Sequence, residues 1–549
     1  MKAEKLILGK IYLADGKGST AEAMAIREGK IMAVGSREEL LPLTDEFTAT
    51  ERKPGLIIPG ITEGHAHVTD ASEMIFGFAL GTADEPEEYL DKIQAFREAH
   101  PEAEIIMGSG YDNGVFGQEG PTAALLDQAV SDVPAVMIAS DHHSRWLNTA
   151  ALRKSGITKE TPEPLNGEIV RDSQGRATGW LKETAQLFTE RVLPPLTAED
   201  YARAVLYYQR LALENGVTLA FEPMYDCFRD YDIRAEGYRL LDRRGELMVS
   251  FSLGWSLEAD EDLAAAKGKL LKTRERLADC GRVKLNTAKF FVDGVVECHT
   301  AFLREDYQDT PGSRGEPTFD PEVFREEVSS ALADGLDIHI HVIGDAALDM
   351  ALDALEAGQK AAAQRRERVD FRNAVTHLQV VGEDQPARMR ALGVTAVTNP
   401  YWHYCSPVYY EVLELPYLGK KRADRQYPMA SLLKQGIRVS QASDYPVTNP
   451  PRTMDALHLM VNRRDPAHPE YPALGPGECL SVQEALDVLT RNGAGQLRLE
   501  QRKGTLEAGK DADFCVLSGD PLTMPKEELY RLEVLETWTD GMLRYRRED

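Results

Sequence analysis

Apolar residues recur along this chain in two patterns, and the more frequent one predicts a parallel sheet. Short apolar runs alternate with longer amphipathic segments over most of the chain. Such runs are typical of parallel strands buried on both faces, and the amphipathic segments are typical of connecting helices. The expected strands are Leu56–Ile61, Val217–Phe221, Met248–Leu253, Val283–Val292, Leu336–Ile343, Asn373–Gln379, Val394–Asn399 and Ile437–Ala442. The clearest expected helices are Pro321–Ala333, Ala346–Ala357 and Pro386–Ala391. Eight strands in this arrangement match an α/β fold, the (β/α)8 TIM-like barrel, whose active sites lie at the C-terminal strand ends.

The two ends of the chain follow the second pattern, the strict alternation of half-buried strands. Near the N-terminus, Ala21–Arg27 and Ile31–Gly35 flank a glycine-containing turn, which is a hairpin signal. Near the C-terminus, Ala512–Leu517 is strand-like, and Asp540-Gly541 separates two further strand-like runs. We therefore expect a composite β-sandwich domain formed from both termini, residues 1–57 and 500–549.

A long connection follows the first expected barrel strand. Residues 68–215 are more chain than a helical crossover needs, and they contain strand-like runs at Ile105–Met107 and Val136–Ala139. We expect a large insertion after barrel strand 1, an α+β lid or substrate domain over residues 73–199. The barrel would then comprise residues 58–72 and 200–499.

Composition narrows the class of protein. The 549 residues are 43% hydrophobic and 28% charged, as in a globular protein, and carry a formal net charge of −26. This acidity argues against nucleic acid and anionic membranes as partners. We find neither a signal peptide nor an apolar run approaching the ~18 residues of a membrane span, so we expect a cytoplasmic protein. None of the six cysteines forms a CxxC pair, which disfavours a disulfide framework and a cysteine zinc site. A homodimer is the base-rate expectation.

Ionisable side chains interrupt the expected strands at their C-terminal ends. Alternate residues of a strand share a face, so the two members of each His-x-His pair converge. A single strand histidine is more often a hydrogen-bonded core residue than a ligand. Several in order, with a carboxylate and few thiolates, favour Zn²⁺ or a similar divalent cation. The residues are His65 and His67 after strand one, Lys289 in strand four, His339 and His341 in strand five, His377 in strand six, and Asp444 after strand eight.

These positions lie in motifs that resemble the amidohydrolase superfamily, and more closely its amidohydrolase-3 branch of N-substituted formamide deformylase-like metal-dependent hydrolases. The resemblance runs essentially end to end. A His-x-His pair alone is a weak signal, but the ordered Lys, His, His and Ser-Asp-x-Pro that follow make it specific. The motifs that carry the resemblance are PGITEGHAH, SGYDNGVF, DHHSRWLNTAAL, GWLKETA, AKFFVDG, IHVIGDAALDMALDALE, THLQVV, YPMASLLKQGIRVSQASDYPV and RKGTLEAGKDADFCVL.

The resemblance implies a ligand set for one or two divalent metal ions, with Zn²⁺ as the expected metal. Lys289, carboxylated by CO₂ to a carbamate, would bridge two metals, because an ammonium cannot ligate a cation and a carbamate can. The alternative is a lysine ion-paired to Asp293 in a site that holds one metal. His339 is expected to pack or hydrogen-bond behind the ligands. The implied ligands are His65, His67 and Asp444 for the first metal, and His341 and His377 for the second.

The implied reaction is hydrolysis of a non-peptide C–N bond of amide type in a small molecule. A metal-activated hydroxide attacks the carbonyl carbon, and Asp444 takes its proton and delivers it to the leaving amine. A metal, with an imidazole such as His377, stabilises the oxyanion. Two alternatives stay open: an ester or lactone hydrolase that uses the same site, and a catalytically inactive barrel scaffold.

Substrate contacts are expected from residues outside the ligand set. Their alternatives are lid structure for the inserted domain and aromatic packing after strand seven. The motifs also depart from the family pattern, since TEGHAH, THLQ and VVECHTAFL replace the usual residues, and Glu297 lies where a substrate-facing arginine is common. Formamide specificity is therefore not carried over. The candidates are Tyr111, Asp112 and His143 in the inserted domain, His299 after strand four, and Trp402 and His403 after strand seven.

Overall fold

The computed structural model describes residues 1–117, 119–165, 167–224, 230–365, 370–407 and 409–548. The strands are β1 (Lys5–Tyr12), β2 (Thr20–Arg27), β3 (Lys30–Gly35), β4 (Ala49–Pro59), β5 (Ile61–Glu63), β6 (Phe78–Ala79), β7 (Ile106–Tyr111), β8 (Ala135–Ala139), β9 (Ser144–Leu147), β10 (Gly167–Arg171), β11 (Ala177–Glu183), β12 (Val217–Glu222), β13 (Ser250–Ser256), β14 (Val283–Phe291), β15 (Asp337–Val342), β16 (Ala374–His377), β17 (Thr395–Thr398), β18 (Val439–Gln441), β19 (Phe514–Leu517), β20 (Val534–Thr539) and β21 (Met542–Arg546). The α-helices are α1 (Arg37–Leu40), α2 (Ser72–Phe76), α3 (Pro86–Ala99), α4 (Ala123–Leu126), α5 (Thr149–Ser155), α6 (Ala198–Glu214), α7 (Tyr231–Arg244), α8 (Leu263–Arg276), α9 (Pro321–Ala333), α10 (Asp345–Gln364), α11 (Gln385–Ala391), α12 (Leu415–Leu418), α13 (Lys420–Ala423), α14 (Met429–Lys434), α15 (Thr453–Asn462), α16 (Val482–Asp487) and α17 (Gly493–Gln496). Among the described residues, none of the helices is both long and apolar enough to cross a membrane.

Eight of the described strands form a parallel barrel sheet, in the order β5-β12-β13-β14-β15-β16-β17-β18. The register places Lys289 opposite His339 and Val342 opposite His377 on neighbouring strands. The helices α9, α10 and α11 lie where amphipathic segments were expected. The (β/α)8 fold class is therefore confirmed.

Hydrogen bonds at the seam between β5 and β18, the first and last barrel strands, close the barrel. The Gly64 N–H donates to the Gln441 carbonyl at 2.9 Å, and the Gln441 side-chain amide donates to the Thr62 carbonyl at 2.8 Å. A Cβ at residue 64 would lie 2.6 Å from the Gln441 carbonyl oxygen. The strands approach this closely because residue 64 is glycine.

The first barrel strand begins later in the chain than expected, and the prediction of Leu56–Ile61 is wrong. The apolar run belongs to β4 as far as Pro59, and the barrel strand β5 starts at Ile61. Gly60 marks the crossing between the two sheets, where a Cβ would lie 2.1 Å from Thr218 Oγ1. Both strands are buried, so the hydrophobic pattern contains no break that would divide them.

The two ends of the chain share a second sheet, in the order β21-β20-β19-β4-β1-β2-β3. Strand β1 pairs parallel with β4 and antiparallel with β2, while β19 pairs antiparallel with β4. Alternation along β1 puts Leu6 and Leu8 in one apolar cluster and Ile7 in another, so both faces of the sheet are covered. The composite β domain and its hairpins β2–β3 and β20–β21 are confirmed.

The chain divides into two compact units. The first comprises Met1–Ala66, Gln209–Pro223 and Asp242–Asp549, and holds the two sheets described above. The second comprises His67–Tyr208 and Met224–Leu241, and contains a six-stranded sheet in the order β10-β11-β9-β8-β7-β6. The large insertion after the first barrel strand is confirmed. The three-domain limits at residues 58–72, 73–199 and 200–499 stay a prediction.

Candidate metal centre

The candidate ligands lie at the C-terminal ends of barrel strands, where a parallel sheet brings distant residues together. Along β14 the faces alternate: Phe290 packs outward against Phe324 of α9, with ring centroids 5.4 Å apart, while Lys289 and Phe291 share the opposite face. All six candidates are buried, with at most 9% of each residue exposed. They are His65, His67, Lys289, His341, His377 and Asp444.

Two histidines and a carboxylate form one group within this set. One ligand atom from each of His65, His67 and Asp444 lies within 4.8 Å of the other two. His65 Nε2 is 3.2 Å from Asp444 Oδ1, and the Asp444 N–H donates to the His65 carbonyl at 2.9 Å. These donor types match those of zinc sites in proteins.

The ring of His65 is held by a second histidine behind it. His65 Nδ1 and His339 Nε2 are 2.8 Å apart, so one nitrogen donates to the other. Burial lowers the pKa of His339 well below its usual range, which keeps its ring neutral. Phe221 packs against the His339 ring with centroids 4.6 Å apart. This is the contact expected of His339, and it leaves His65 Nε2 as the nitrogen directed at Asp444.

His341 and His377 form a second pair. Their rings meet edge to face with centroids 4.6 Å apart, and the His377 ring lies 5.3 Å from that of His65. His377 Nδ1 donates to Asn399 Oδ1 at 2.9 Å, and His341 Nδ1 is 3.4 Å from Asp293 Oδ1. Burial lowers the pKa of His377 well below its usual range, so its ring is the neutral imidazole that metals bind.

Lys289 is fully buried on the strand next to His341. Within the described residues its Nζ has no hydrogen-bond partner, and it lies 4.4 Å from the ring centroid of Phe291. Burial lowers the pKa of this amine to about 7. Asp293, the alternative ion-pair partner, accepts hydrogen bonds from the N–H groups of Ile343 and Gly344 at 3.0 and 2.8 Å. The structure therefore gives Lys289 the burial and the lowered amine pKa that favour carboxylation.

Backbone strain is found at two of the candidate ligands. His377, Leu378 and Asp444 have φ values of 74°, 55° and 56°, in the left-handed region that non-glycine residues seldom adopt. His377 ends β16 and Asp444 follows β18, so the strain lies where the strands give way to loops. Strain of this kind persists only where surrounding contacts enforce it, and it is frequent at active sites.

Three buried polar residues support the ligands in roles that sequence reasoning missed. Glu63 accepts hydrogen bonds from the N–H groups of His65 and Ser443 at 3.1 and 2.9 Å, and burial raises its pKa to about 8. Asn399 accepts a hydrogen bond from His377 Nδ1, and Asp293 Oδ1 lies 3.4 Å from His341 Nδ1. Each is a polar residue at the end of an apolar strand, which is a detectable signal, but its partners lie far away in sequence.

The substrate candidates of the first unit differ in their surroundings. Trp402 stacks on His377, with ring centroids 5.5 Å apart and an interplanar angle of 16°, so it borders the ligand group. His403 is fully buried, which does not favour direct contact with a substrate. His299 Nε2 lies 2.8 Å from Asp309 Oδ2. Of these three, Trp402 is the one that the structure brings against a candidate ligand.

The other three substrate candidates, Tyr111, Asp112 and His143, lie in the second unit. Tyr111 is fully buried in the apolar core of this unit. Asp112 accepts a hydrogen bond from the Gly114 N–H at 2.7 Å and caps a short 3₁₀ turn. His143 Nδ1 lies 2.9 Å from Glu183 Oε2. These contacts fit the structural alternative, and the substrate roles stay predictions.

Known proteins resemble this chain over most of its length. A model described as the amidohydrolase family matches residues 53–545. The N-substituted formamide deformylase of Arthrobacter pascens is 27% identical over 566 residues, which cover 100% of this chain and 99% of that protein. Protein LONG AFTER FAR-RED 3 of Arabidopsis thaliana is 27% identical over 524 residues, covering 93% and 86%. The crystal structure of an uncharacterized metal-dependent hydrolase from Pyrococcus horikoshii OT3 matches with a TM-score of 0.74 and 22% identity, covering 95% of this chain and 99% of that chain. At that identity the structural match supports the fold.

Proposed function

We propose, on the premise that this chain belongs to the amidohydrolase family, that it is a metal-dependent hydrolase acting on a non-peptide C–N bond, of amide type, in a small molecule. One observation carries the proposal: His65, His67 and Asp444 offer ligand atoms within 4.8 Å of one another at the C-terminal end of the barrel. Buried imidazoles and carboxylates are costly unless they are paired with each other or bind a cation, and a cation would compensate all three at once. Active sites of this fold lie at the same end.

The donor set fits a divalent cation. Neutral imidazoles and a carboxylate, without a thiolate among them, suit Zn²⁺. We propose that Lys289 contributes as a carbamate, because its buried amine has a pKa of about 7 and no hydrogen-bond partner among the described residues. The first cation would be held by His65, His67 and Asp444, and a second by His341 and His377, with the Lys289 carbamate as a further ligand; all six residues are buried.

The chemistry divides between the cation and the protein. When bound, the cation supplies Lewis acidity, which lowers the pKa of water and polarises a carbonyl oxygen. Asp444 accepts the proton of the attacking water on its carboxylate and returns it to the leaving nitrogen, so that the C–N bond breaks and an acid and an amine form. The hydrogen bond from its N–H to the His65 carbonyl holds Asp444 in place for both transfers.

His377 is better suited to ligation than to oxyanion stabilisation. Its Nδ1 carries the proton that is donated to Asn399, and its lowered pKa keeps the ring neutral. Its Nε2 is then a lone-pair donor and has no proton to offer an oxyanion. We therefore propose His377 as a ligand, with Trp402 beside it as a wall of the substrate site.

Metal analysis and hydrolysis assays on the purified protein test the proposal. The assay measures bound metal, then hydrolysis of a panel of N-substituted formamides, other amides and matched esters, before and after chelation and zinc replacement. We expect amide hydrolysis that is lost on chelation and restored by zinc. Asp444→Asn should lower kcat by about 10²- to 10⁴-fold, because the proton transfers lose their base. Asp320→Asn, which changes the cap of α9, is the matched control and should keep activity.

Three results would contradict parts of the proposal. Hydrolysis confined to esters would identify an ester or lactone hydrolase. Negligible metal together with no hydrolysis across the panel would support an inactive scaffold. Full activity of Asp444→Asn would remove Asp444 from proton transfer.

A further inference from the structure

Glu63, the last residue of β5, is a buried carboxylate at the seam of the barrel. Its Oε1 accepts two backbone hydrogen bonds, from His65 at 3.1 Å and from Ser443 at 2.9 Å. The first donor belongs to a candidate ligand, and the second belongs to the residue before Asp444. A single oxygen atom thus joins two chain segments that are 380 residues apart.

Strands β5 and β18 both end next to the hydrogen bonds of Glu63. Strand β5 stops at Glu63 and β18 stops at Gln441, so both ligands lie just beyond regular strand structure. One backbone hydrogen bond, from the Asp444 N–H to the His65 carbonyl at 2.9 Å, continues across the seam. Asp444 also holds a strained φ of 56°, which neighbouring contacts must enforce. The Glu63 carboxylate supplies such a contact at the adjacent residue.

Close packing around Gly64 fixes the backbone between Glu63 and His65. A Cβ on Gly64 would lie 2.6 Å from the Gln441 carbonyl oxygen and 2.9 Å from Gln496 Oε1. The Gln496 side-chain amide also donates to the Gly64 carbonyl at 2.9 Å. The segment between Glu63 and His65 therefore has little room to adjust if the carboxylate is lost.

We infer that Glu63 is a positioning residue, which holds His65 and Asp444 in register across the seam and so presets the cation site. The inference rests on the proposed metal centre. Its chemical requirement is a hydrogen-bond acceptor at the end of the side chain, since the N–H groups of His65 and Ser443 donate to it and the Ser443 side chain also hydrogen-bonds to it. Glutamine at this position meets that requirement and methionine, of similar length, does not.

Zinc affinity of metal-free protein, measured by competition with a chromophoric chelator, tests the inference without any substrate. Glu63→Met should raise the zinc dissociation constant by about 10- to 100-fold, the range found when groups that orient ligands are removed. Glu63→Gln should stay within about threefold of wild type, because its amide oxygen accepts both N–H groups. Asp337→Asn is the matched control, since this buried carboxylate accepts the Arg372 N–H at 2.9 Å and is ion-paired with Arg498 at 2.6 Å. It lies at the start of β15, the opposite end of the strand, and the amide weakens the ion pair.

The thermal midpoint of each metal-free variant separates positioning from stability. We expect Asp337→Asn to lower the midpoint and leave zinc affinity unchanged, whereas Glu63→Met lowers both. If Glu63→Met does not fold, Glu63→Asp decides, because it keeps the carboxyl group and shortens the reach by about 1.5 Å. This variant should weaken zinc binding several-fold. Unchanged affinity in Glu63→Met or Glu63→Asp, or equal loss in Asp337→Asn, overturns the inference alone. Wild-type protein that binds no zinc overturns the proposed function with it.

Discussion

The buried amine of Lys289 allows a quantitative prediction about stability. Replacing Lys289 with methionine keeps the length of the side chain and removes the ionisable group. Burial lowers the pKa of the amine from its usual 10.5 to about 7 in the folded protein. Between these values the unfolded chain binds more protons than the folded protein, so stability rises with pH. Below pH 7 the buried lysine therefore lowers the free energy of unfolding by the largest amount. This destabilisation disappears as pH approaches 10.5.

The size of the effect follows from the two pKa values. Their difference corresponds to about 5 kcal/mol of lost stability at low pH. Lys289→Met should therefore be more stable than wild type by nearly that amount at about pH 6.5. The advantage should shrink by about 2–3 kcal/mol when both proteins are compared at about pH 9. Titrating groups that do not interact with Lys289 are common to both proteins and cancel in the difference.

Urea unfolding of metal-free protein in CO₂-depleted buffer measures this difference at each pH. Lys503→Met is the matched control, because Lys503 is also buried but is ion-paired with Asp513. Removing that cation leaves a buried carboxylate unpaired, so this variant should lose about 3–5 kcal/mol. If Lys289→Met is less stable than wild type, or if its advantage is the same at both pH values, the pKa of Lys289 is not lowered in the folded protein.

Three further substitutions test the supporting structure. His339→Phe should weaken zinc binding by about 10- to 100-fold in a chelator competition, because His65 loses the residue that orients its ring; equal affinity would remove His339 from that role. Gly60→Ala should lower the free energy of unfolding by about 1–3 kcal/mol, because its Cβ would lie 2.1 Å from Thr218 Oγ1. Gly268→Ala, in α8 with no atom within 4 Å of the added Cβ, should instead raise it by about 0.5–1 kcal/mol. Urea unfolding measures both, and a stable Gly60→Ala would contradict the close approach at that crossing.

Local sequence determined the elements from which the barrel is built. The apolar runs and the helix patterns place β12 to β18 and α9 to α11, because burial on both faces of a strand and on one face of a helix leaves a periodic mark. The same period of two shows that His339 and His341 share a face of β15. His65 and His67 lie beyond the end of β5, so the strand period does not place them. Hairpin chemistry at Asp540-Gly541 likewise needs only neighbouring residues.

Only the tertiary structure determined which residues of one strand face meet which distant residues. His339 and His341 look alike in sequence, but two residues advance about 6–7 Å along a strand, so one lies behind His65 and the other beside His377. The division of one apolar run at Gly60 depends on Thr218, which comes from a distant strand.

The residues that hold the candidate ligands in place also could not be identified from local sequence. Glu63 reads in sequence as one acidic residue beside a His-x-His pair, and its hydrogen-bond partner Ser443 is 380 residues away. The lowered pKa of Lys289 arises from burial by strands that fold around it. A sequence therefore specifies which residues can be buried and on which face, because these follow from local periodicity. Which buried polar groups meet depends on the closure of the barrel, because only then do the ends of distant strands come within hydrogen-bonding distance.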